Sequence, residues 1–407
     1  MIALDRGTLR ALGQVRQLGR EHMRPIGLES DRTGLPPPAD HPFYLLCSRR
    51  GGLVSWETGE ADGEDGDADT ESSSPDGRAR LAWRPLRALL LNEEAAYWDR
   101  GVALSLPGPG LGGAALRTTA TPEQREKYLA VFSDHERAHW GAMAMTEPGA
   151  GSDVARIQTR ARRDGDEWVL SGSKMFCSNG ARADWVVVWA TVDPGLGREG
   201  HRAFVVERGT PGFEVIKIEH KMGSRGYETA SFSLDDVRVS AGNLLGGESF
   251  YESRRGFKGA MATFNITRPI HAAQGVGMGR AALDLAIEFV RSEYPTHGRR
   301  RQRALERIAE IRRGLHAARL LCMHAVWLAA QDKPNTLEAS YSKLYAPPIV
   351  LRAVSTAMDV IGEDAVRRDA MIEKLYRDVK ILDIGEGTQQ VQRLIVARQL
   401  LAFPRDD

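Results

Sequence analysis

The sequence has few cysteines, no long apolar run and almost no net charge. Cys47, Cys177 and Cys322 are the only cysteines among 407 residues, and no two of them form a C-x-x-C pair. We therefore expect no disulfide framework and no metal site, and a reducing cytoplasmic location is predicted. Lysine and arginine number 55 against 54 aspartates and glutamates, a balance that argues against nucleic acid as a partner.

A membrane span and a signal peptide are not predicted either. No run approaches the roughly 18 uninterrupted apolar residues that a spanning helix needs. Residues 1–6 lack the basic-then-apolar order of a signal peptide. The length is sufficient for two or three domains with a large core.

Hydrophobic periodicity changes twice along the chain. Residues 1–140 are mostly helical in pattern, and helical spacing returns after about residue 257. In between, short aromatic and β-branched runs alternate with turn residues, which predicts a small antiparallel β-barrel. The order predicts an α+β protein with a helical domain (1–140), a β-domain (141–243) and a helical bundle (244–407). Residues 57–77, rich in Gly, Asp, Glu and Ser, predict a flexible acidic loop, with a partner-binding acidic segment as the alternative.

One carboxylate close to the C-terminus has an unusual setting. Glu386 lies between Gly385 and Gly387, so the backbone can bring it close to a ligand. A dry site would raise its pKa toward neutrality, where it can accept a proton from carbon. The alternative is a solvated acid in the loop before the last helix.

Residues 145–153, with the sequence MTEPGAGSD, form the strongest motif. Its glycines allow close backbone approach, and the hydroxyls of Thr146 and Ser152 can bind a polar ligand. The motif differs from the G-x-G-x-x-G fingerprint, and no βαβ unit surrounds it. A β-turn loop is the alternative interpretation.

Together these motifs resemble, in their order, those of the acyl-CoA dehydrogenase family of flavoproteins. Ordered matches cover about residues 121–401. The matching segments are residues 145–153, 168–180, 221–226, 236–239, 267–269, 377–378, 386–388 and 392–394.

The resemblance implies an N-terminal helical domain, a middle antiparallel β-barrel and a C-terminal four-helix bundle, with FAD between barrel and bundle. Thr146 would hydrogen-bond the pyrimidine edge of the flavin, and Phe176 would pack on its ring. Ser178 would reach the flavin N5, and Ser152 would lie near phosphate or the acyl-CoA. The other cofactor contacts implied are Met145, Gly151, Thr388 and Gln390.

The same resemblance implies that Glu386 is the catalytic base of an enzyme of lipid metabolism. It would remove the Cα proton of an acyl-CoA while hydride passes from Cβ to the flavin, and an electron-transfer flavoprotein would be the acceptor. Its amide would help to polarise the thioester carbonyl. Arg268, Ser152, Gly385 and Gly387 would contact substrate, although an ordinary ion pair is the alternative for Arg268.

Other functions remain open. An oxidase or monooxygenase on the same fold is one, although such monooxygenases typically lose or replace the glutamate. A non-catalytic or regulatory subunit is the other.

The chain departs from the family where the ADP half of FAD is bound by a neighbouring chain. Residues 291–302 lack the Arg-x-x-Phe-Gly turn of the family, although Gln302 matches a second contact. In the third element, Asp359 replaces a glutamine and Glu363 replaces a glycine. We expect this chain to be the catalytic subunit of a heterotetramer with a homologous acyl-CoA dehydrogenase subunit. The alternative is a homo-oligomer in which arginines 299–301 rebuild the site.

Gly385 stands where many relatives carry tyrosine against the acyl group. Loss of that side chain predicts a wide pocket for bulky or branched acyl groups of the sterol side-chain type. The alternative is that another side chain fills the space.

Overall fold

The computed structural model describes residues 4–49, 75–252 and 256–401. The predicted acidic loop lies outside the described residues as far as residue 74, and a helix begins at Pro75. Helices in the described ranges are α1 (Arg6–Leu18), α2 (Arg24–Thr33), α3 (Pro42–Arg49), α4 (Pro75–Ser105), α5 (Gly110–Thr119), α6 (Pro122–Leu129), α7 (Gly247–Glu252), α8 (Gly256–Glu293), α9 (Arg299–Ala330), α10 (Thr336–Ile361), α11 (Met371–Asp378) and α12 (Gln389–Leu400). The strands are β1 (Gly141–Ala144), β2 (Arg160–Asp164), β3 (Glu167–Ser178), β4 (Trp185–Thr191), β5 (His201–Glu207), β6 (Phe213–Ile218) and β7 (Thr229–Ser240).

Local sequence signals explain where several elements begin. Thr121 caps α6: its hydroxyl accepts from Gln124 N at 3.3 Å, and the Gln124 side chain accepts from Thr121 N at 3.0 Å. This reciprocal capping box satisfies two amides at the helix start. The apolar run of residues 185–190 forms β4, which is buried at every position.

The sheet is mixed and open, which corrects the prediction of a closed antiparallel barrel. Its order is β1-β4-β2-β3-β7-β6, with β5 also paired to β4. Strand β1 runs parallel to β4, with Gly141 opposite Trp185, whereas β3 is antiparallel to both β2 and β7. Parallel pairing needs a long crossover, and here residues 145–184, which include β2 and β3, supply it.

Helices α8, α9 and α10 pack together with α4 around one apolar core. Its members include Leu89 of α4, Ala282 of α8, Ile311 of α9 and Val354 of α10. Burial of this apolar surface holds the N-terminal and C-terminal parts of the chain together. The domain boundaries at residues 140/141 and 243/244 stay predictions.

One segment in the described ranges, Thr336–Val366, has the length and composition of a membrane-spanning helix. Lys343, Val350 and Ala353 from this segment are fully buried among the other helices. A core helix of a bundle is apolar all round for the same reason, so this composition is explained by packing.

A buried ionic cluster joins α4 to α11. Asp99 departs from helical geometry within α4, with φ −164° and ψ 114°. Its Oδ2 accepts from Lys374 Nζ at 2.7 Å, and Lys374 also donates to Asp378 Oδ2 at 2.5 Å. Asp378 in turn accepts from Ser224 N at 2.5 Å. The cluster therefore fixes a kink in α4 one residue before Arg100, whose side chain lies in the cleft described next.

Candidate active site

A cleft of about 2890 Å³ opens between the sheet and the C-terminal helices. This volume exceeds the roughly 300–1,000 Å³ of pockets for one small ligand, and suits two large ones. It brings together the predicted residues Met145, Thr146, Gly151, Ser152, Phe176, Ser178, Arg268, Gly385, Glu386, Gly387 and Thr388. Their individual roles stay predictions.

Gln390 is the exception. Its side chain is exposed, and it does not line the cleft. Helix α12 presents Val391, Leu394 and Arg398 to the cleft. These positions recur at helical spacing, and Gln390 lies off that face.

On the sheet side, a buried ion pair holds the loop that follows β1. Lys174 Nζ donates to Glu147 Oε1 at 2.7 Å and to Met145 O at 3.1 Å, and Met175 N donates to Thr146 O at 2.9 Å. Burial lowers the pKa of Lys174 to about 8, with Glu147 opposing the shift. The sequence analysis did not identify Glu147 and Lys174, although both lie in the matched motifs. They position the Thr146 backbone at the cleft.

Phe176 displays an aromatic ring in the cleft on a strained backbone. Its φ is +58°, and 56% of its surface is exposed. Non-glycine residues adopt this conformation rarely and mostly at functional sites. The ring, with the hydroxyls of Thr146 and Ser178 in the same cleft, fits a flat ligand with polar edges. These residues therefore fit the isoalloxazine ring of FAD.

On the helical side, Glu386 lies in a strained turn between α11 and α12. Its φ is +58°, and that of Gly387 is +92°. Such a conformation costs a non-glycine residue about 1–3 kcal/mol. Arg268 Nε donates to Glu386 O at 3.3 Å, and Gln392 Nε2 donates to Gly387 O at 3.2 Å, so both side chains hold the turn. The Glu386 side chain is 15% exposed.

The carboxylate of Glu386 is poorly solvated. Among the described residues, its Oε2 has no well-aligned hydrogen bond, although the Thr267 hydroxyl lies close enough to favour the charged form. Burial raises the pKa of Glu386, while the Thr267 hydroxyl and the positive charges of Lys343, Arg268 and Arg100 oppose that rise. A carboxylate with a raised pKa, aimed into a cleft, is suited to accept a proton from carbon.

Arg100, His271 and Lys343 also surround Glu386, and the sequence analysis did not identify them. Lys343 Nζ donates to Leu382 O, and burial lowers the pKa of Lys343 to about 8. Burial, together with the charges of Arg100 and Lys343, lowers the pKa of His271 well below its ordinary value. The spacing of His271, three residues after Arg268 on one helix, was a usable signal. No local pattern marked Arg100, because the kink at Asp99 sets its direction.

Gly385 does not leave an open space. A Cβ at this position would lie 3.2 Å from Cε1 of His271, so the imidazole occupies the neighbouring volume. The structure favours the alternative, that another side chain fills this space, and the width of the acyl pocket stays a prediction.

We expect Gly385→Tyr to lower kcat/KM by more than about tenfold, because the new ring and the imidazole compete for one volume. With a hydrocarbon acyl-CoA as substrate, adding His271→Ala should restore part of the lost activity. Steady-state kinetics of both variants measure this, with Gly13→Ala as the control, since no atom lies within 4 Å of a Cβ there. A double variant no better than Gly385→Tyr would contradict this packing.

Residues 291–302 and 359–363 form contacts within the chain. Tyr294 OH donates to Val360 O at 2.7 Å, and Arg301 Nη1 donates to Val290 O at 2.9 Å. Asp359 Oδ2 accepts from Arg307 Nη2 at 2.6 Å. Gln302 Nε2 donates to Glu306 Oε1 at 2.9 Å, and Glu363 is exposed. Arg301 therefore serves the helix–helix turn of its own chain.

Comparison with known proteins links this geometry to one group of enzymes. Residues 142–237 match the family model described as acyl-CoA dehydrogenase, middle domain, and residues 254–401 match that of the C-terminal domain. Cyclohexane-1-carbonyl-CoA dehydrogenase of Geobacter metallireducens is 40% identical over 269 residues, which are 65% of this chain and 69% of that protein.

Cyclohex-1-ene-1-carbonyl-CoA dehydrogenase of Syntrophus aciditrophicus is 35% identical over 316 residues, which are 77% of this chain and 74% of that protein. Among solved structures, butyryl-CoA dehydrogenase from Megasphaera elsdenii superposes with a TM-score of 0.84 at 30% identity. The alignment covers 98% of this chain and 100% of that one.

Proposed function

Because the chain belongs to the acyl-CoA dehydrogenase family of FAD-dependent oxidoreductases, we propose that it oxidises a bulky or cyclic acyl-CoA with Glu386 as the base. The assignment of the base rests on the environment of the Glu386 carboxylate. The side chain is only 15% exposed, one oxygen has no well-aligned hydrogen bond among the described residues, and it shares a cleft with Phe176 and Ser178.

The reaction divides between the cofactor and the chain. FAD, when bound, accepts the hydride from Cβ. Glu386 removes the Cα proton, so a carbon–carbon double bond forms, and its backbone amide donates to the thioester carbonyl as negative charge develops there. Arg268 and Gln392 keep the turn in place during proton transfer. Exclusion of water keeps the pKa of the carboxylate high enough for it to act as a base.

The acyl group is proposed to be cyclic or branched. Two relatives that share 40% and 35% identity with this chain are named for six-membered-ring acyl-CoAs. A sterol side chain, or a ring derived from a sterol, belongs to the same class of branched acyl groups.

Anaerobic titration of the FAD-loaded protein tests this function. Cyclohexane-1-carbonyl-CoA should bleach the oxidised flavin absorption at lower concentration than butyryl-CoA does. Butyryl-CoA bleaching at equal or lower concentration would contradict the acyl preference. Failure of every acyl-CoA to bleach the flavin would contradict the activity itself.

The assembly is proposed to be a heterotetramer in which this chain is the catalytic subunit. The support lies at the family's ADP-binding positions. Asp359 and Glu363 would place negative charge beside a pyrophosphate, and Arg301 is engaged within its own chain. A homologous subunit would supply the missing arginine and glycine-rich loop. An electron-transfer flavoprotein as acceptor and a cytoplasmic location are proposed with it.

The flavin content measures this assembly. The chain purified alone should contain well under one FAD, and co-expression with a homologous subunit should give about one FAD for every two chains. The variant Asp359→Gln/Glu363→Gly should raise the flavin content of the chain purified alone, because it removes two acids from the pyrophosphate site. A homotetramer of the unmodified chain with a full complement of FAD would contradict the proposal.

A further inference from the structure

Arg100 is a buried cation with most of its donors unused. The residue is 4% exposed, and it lines the same cleft as Glu386. Its Nη2 lies 3.3 Å from Nδ1 of His271, whereas Nε and Nη1 have no hydrogen-bond partner in the described part of the chain. Burial of a charged group without compensation is costly, so such a group usually serves a ligand.

The contact with Arg100 determines the tautomer of His271. A guanidinium can only donate, so Nδ1 of His271 accepts and the proton of the neutral ring lies on Nε2. Nε2 is buried and, within the described ranges, also has no partner. On one wall of the cleft, two donor nitrogens of Arg100 and one of His271 therefore have no partner among the described residues.

Among the described residues, Glu386 is the carboxylate whose pKa the Arg100 charge lowers, and the other charges near this wall do not pair with the guanidinium. Asp99, its neighbour in sequence, forms an ion pair with Lys374 instead. Lys221 and Lys343 are also close enough for their pKa values to be lowered by Arg100. Glu386, whose Oε1 lies 3.9 Å from His271 Nδ1, is the carboxylate that we propose as the catalytic base. The wall thus remains positive and rich in donors.

The positions of Arg100 and His271 relative to Glu386 determine which part of a substrate they can contact. Glu386 Oε1 and Arg100 Nη2 both face Nδ1 of His271, at 3.9 and 3.3 Å, so the guanidinium lies beside the base. Arg268, by contrast, extends toward Asn265, which donates to Thr336 at the start of α10. A substrate whose Cα faces Glu386 would bring atoms of its acyl group beyond Cα against Arg100 and His271.

We propose that Arg100 and His271 form a specificity subsite for an oxygen atom on the acyl group, with a carboxylate as the best ligand and a ring carbonyl next. This inference rests on the proposed acyl-CoA oxidation and names a feature of its substrate. Arg100 supplies the charge and two donors, and His271 supplies a third donor. A purely hydrocarbon acyl group would leave all three donors buried and unpaired, which strongly disfavours it.

The test uses the FAD-loaded enzyme, with its partner subunit if one is needed, and acyl-CoAs matched in skeleton. Cyclohexane-1-carbonyl-CoA is compared with analogues that carry a carboxylate, a ketone or a methyl group on the ring. We expect kcat/KM to be at least about 100-fold higher for the better oxygenated analogue than for the methyl one. Comparison of the carboxylate analogue with the ketone analogue distinguishes ion pairing from neutral hydrogen bonding.

Variants locate the effect at the subsite. Arg100→Met should remove most of that preference, because it lowers kcat/KM far more for the oxygenated analogues than for the methyl one. Arg100→Lys should retain part of the preference for the carboxylate, since it keeps the charge but loses the planar fork. Arg32→Gln, which removes an exposed arginine that does not line the cleft, should leave the preference unchanged.

Thermal stability separates a ligand-binding role from a structural one. If Arg100 serves a ligand, Arg100→Met should raise the Tm of the protein without substrate, because an uncompensated buried charge is lost. A lower Tm, loss of FAD, or an equal loss of kcat/KM for all analogues would overturn the subsite. If the hydrocarbon analogues bleach the flavin and the oxygenated ones gain nothing, only the subsite fails. If none bleaches it, the proposed function fails as well.

Discussion

Glu386→Gln is expected to lower turnover by at least about 10³-fold while FAD remains bound. Glutamine keeps the shape and the hydrogen-bonding capacity of the side chain but cannot take a proton from Cα. The strained turn should persist, because Arg268 and Gln392 bind its backbone carbonyls and not the carboxylate. Anaerobic flavin bleaching and steady-state kinetics measure the loss.

The same variant should be more stable than the unmodified protein at neutral pH. Burial raises the pKa of Glu386, so the folded state binds more protons than the unfolded state between the two pKa values, and stability falls as pH rises through that window. Glutamine removes this penalty. The gain in the free energy of unfolding should disappear below about pH 4, where the glutamate is protonated in both states.

Glu214→Gln, on the exposed strand β6, is the matched control and should change neither property. Turnover of Glu386→Gln within tenfold of the unmodified enzyme would show that another group removes the proton. A stability gain that did not depend on pH would contradict the raised pKa.

Lys374→Met is expected to lower the free energy of unfolding by about 3–5 kcal/mol. The side chains of Lys374, Asp99 and Asp378 are each at most 3% exposed. Removal of the lysine leaves two carboxylates buried without their counter-ion. Denaturant unfolding of the FAD-loaded protein measures the change. Lys380→Met is the control, because Lys380 is 53% exposed and its loss should cost less than about 1 kcal/mol.

The pH dependence identifies the cause. In Lys374→Met the folded state should take up a proton on Asp378, whose pKa burial already raises, at higher pH than the unfolded state does. The deficit should therefore shrink as pH falls toward about 4. A deficit equal to that of Lys380→Met, or one independent of pH, would show that the cluster contributes little. Because the cluster fixes the kink before Arg100, the variant should also weaken the proposed preference for oxygenated acyl groups.

Local patterns predicted much of the fold because they act over short distances. The Thr121 cap satisfies amides three residues away, and the apolar run of residues 185–190 is buried on both faces of a sheet. The pairing of strands was harder to predict from the sequence, because β1 aligns in parallel with β4 and the whole of β2 and β3 lies between them in the chain. The predicted antiparallel barrel was wrong for that reason.

The candidate site divides in the same way. Glu386 was identifiable because its two glycines and the ordered motifs are contiguous in the chain. Arg100 and His271 were not, since their significance depends on a contact between α4 and α8. Gln390 was assigned to the cofactor from its place in a motif, whereas the rotation of α12 turns it away from the cleft. The reason for a glycine at position 385 became visible only in the structure, where the His271 imidazole lies beside it.

The motifs in the sequence identify the family, the FAD cofactor and the Gly-Glu-Gly turn that holds Glu386, because residues close together in the chain carry that information. Tertiary structure alone decided the open mixed sheet, the burial that raises the pKa of Glu386, and the unpaired guanidinium of Arg100. Solvation and long-range electrostatics depend on which distant segments meet, and no local pattern encodes those meetings.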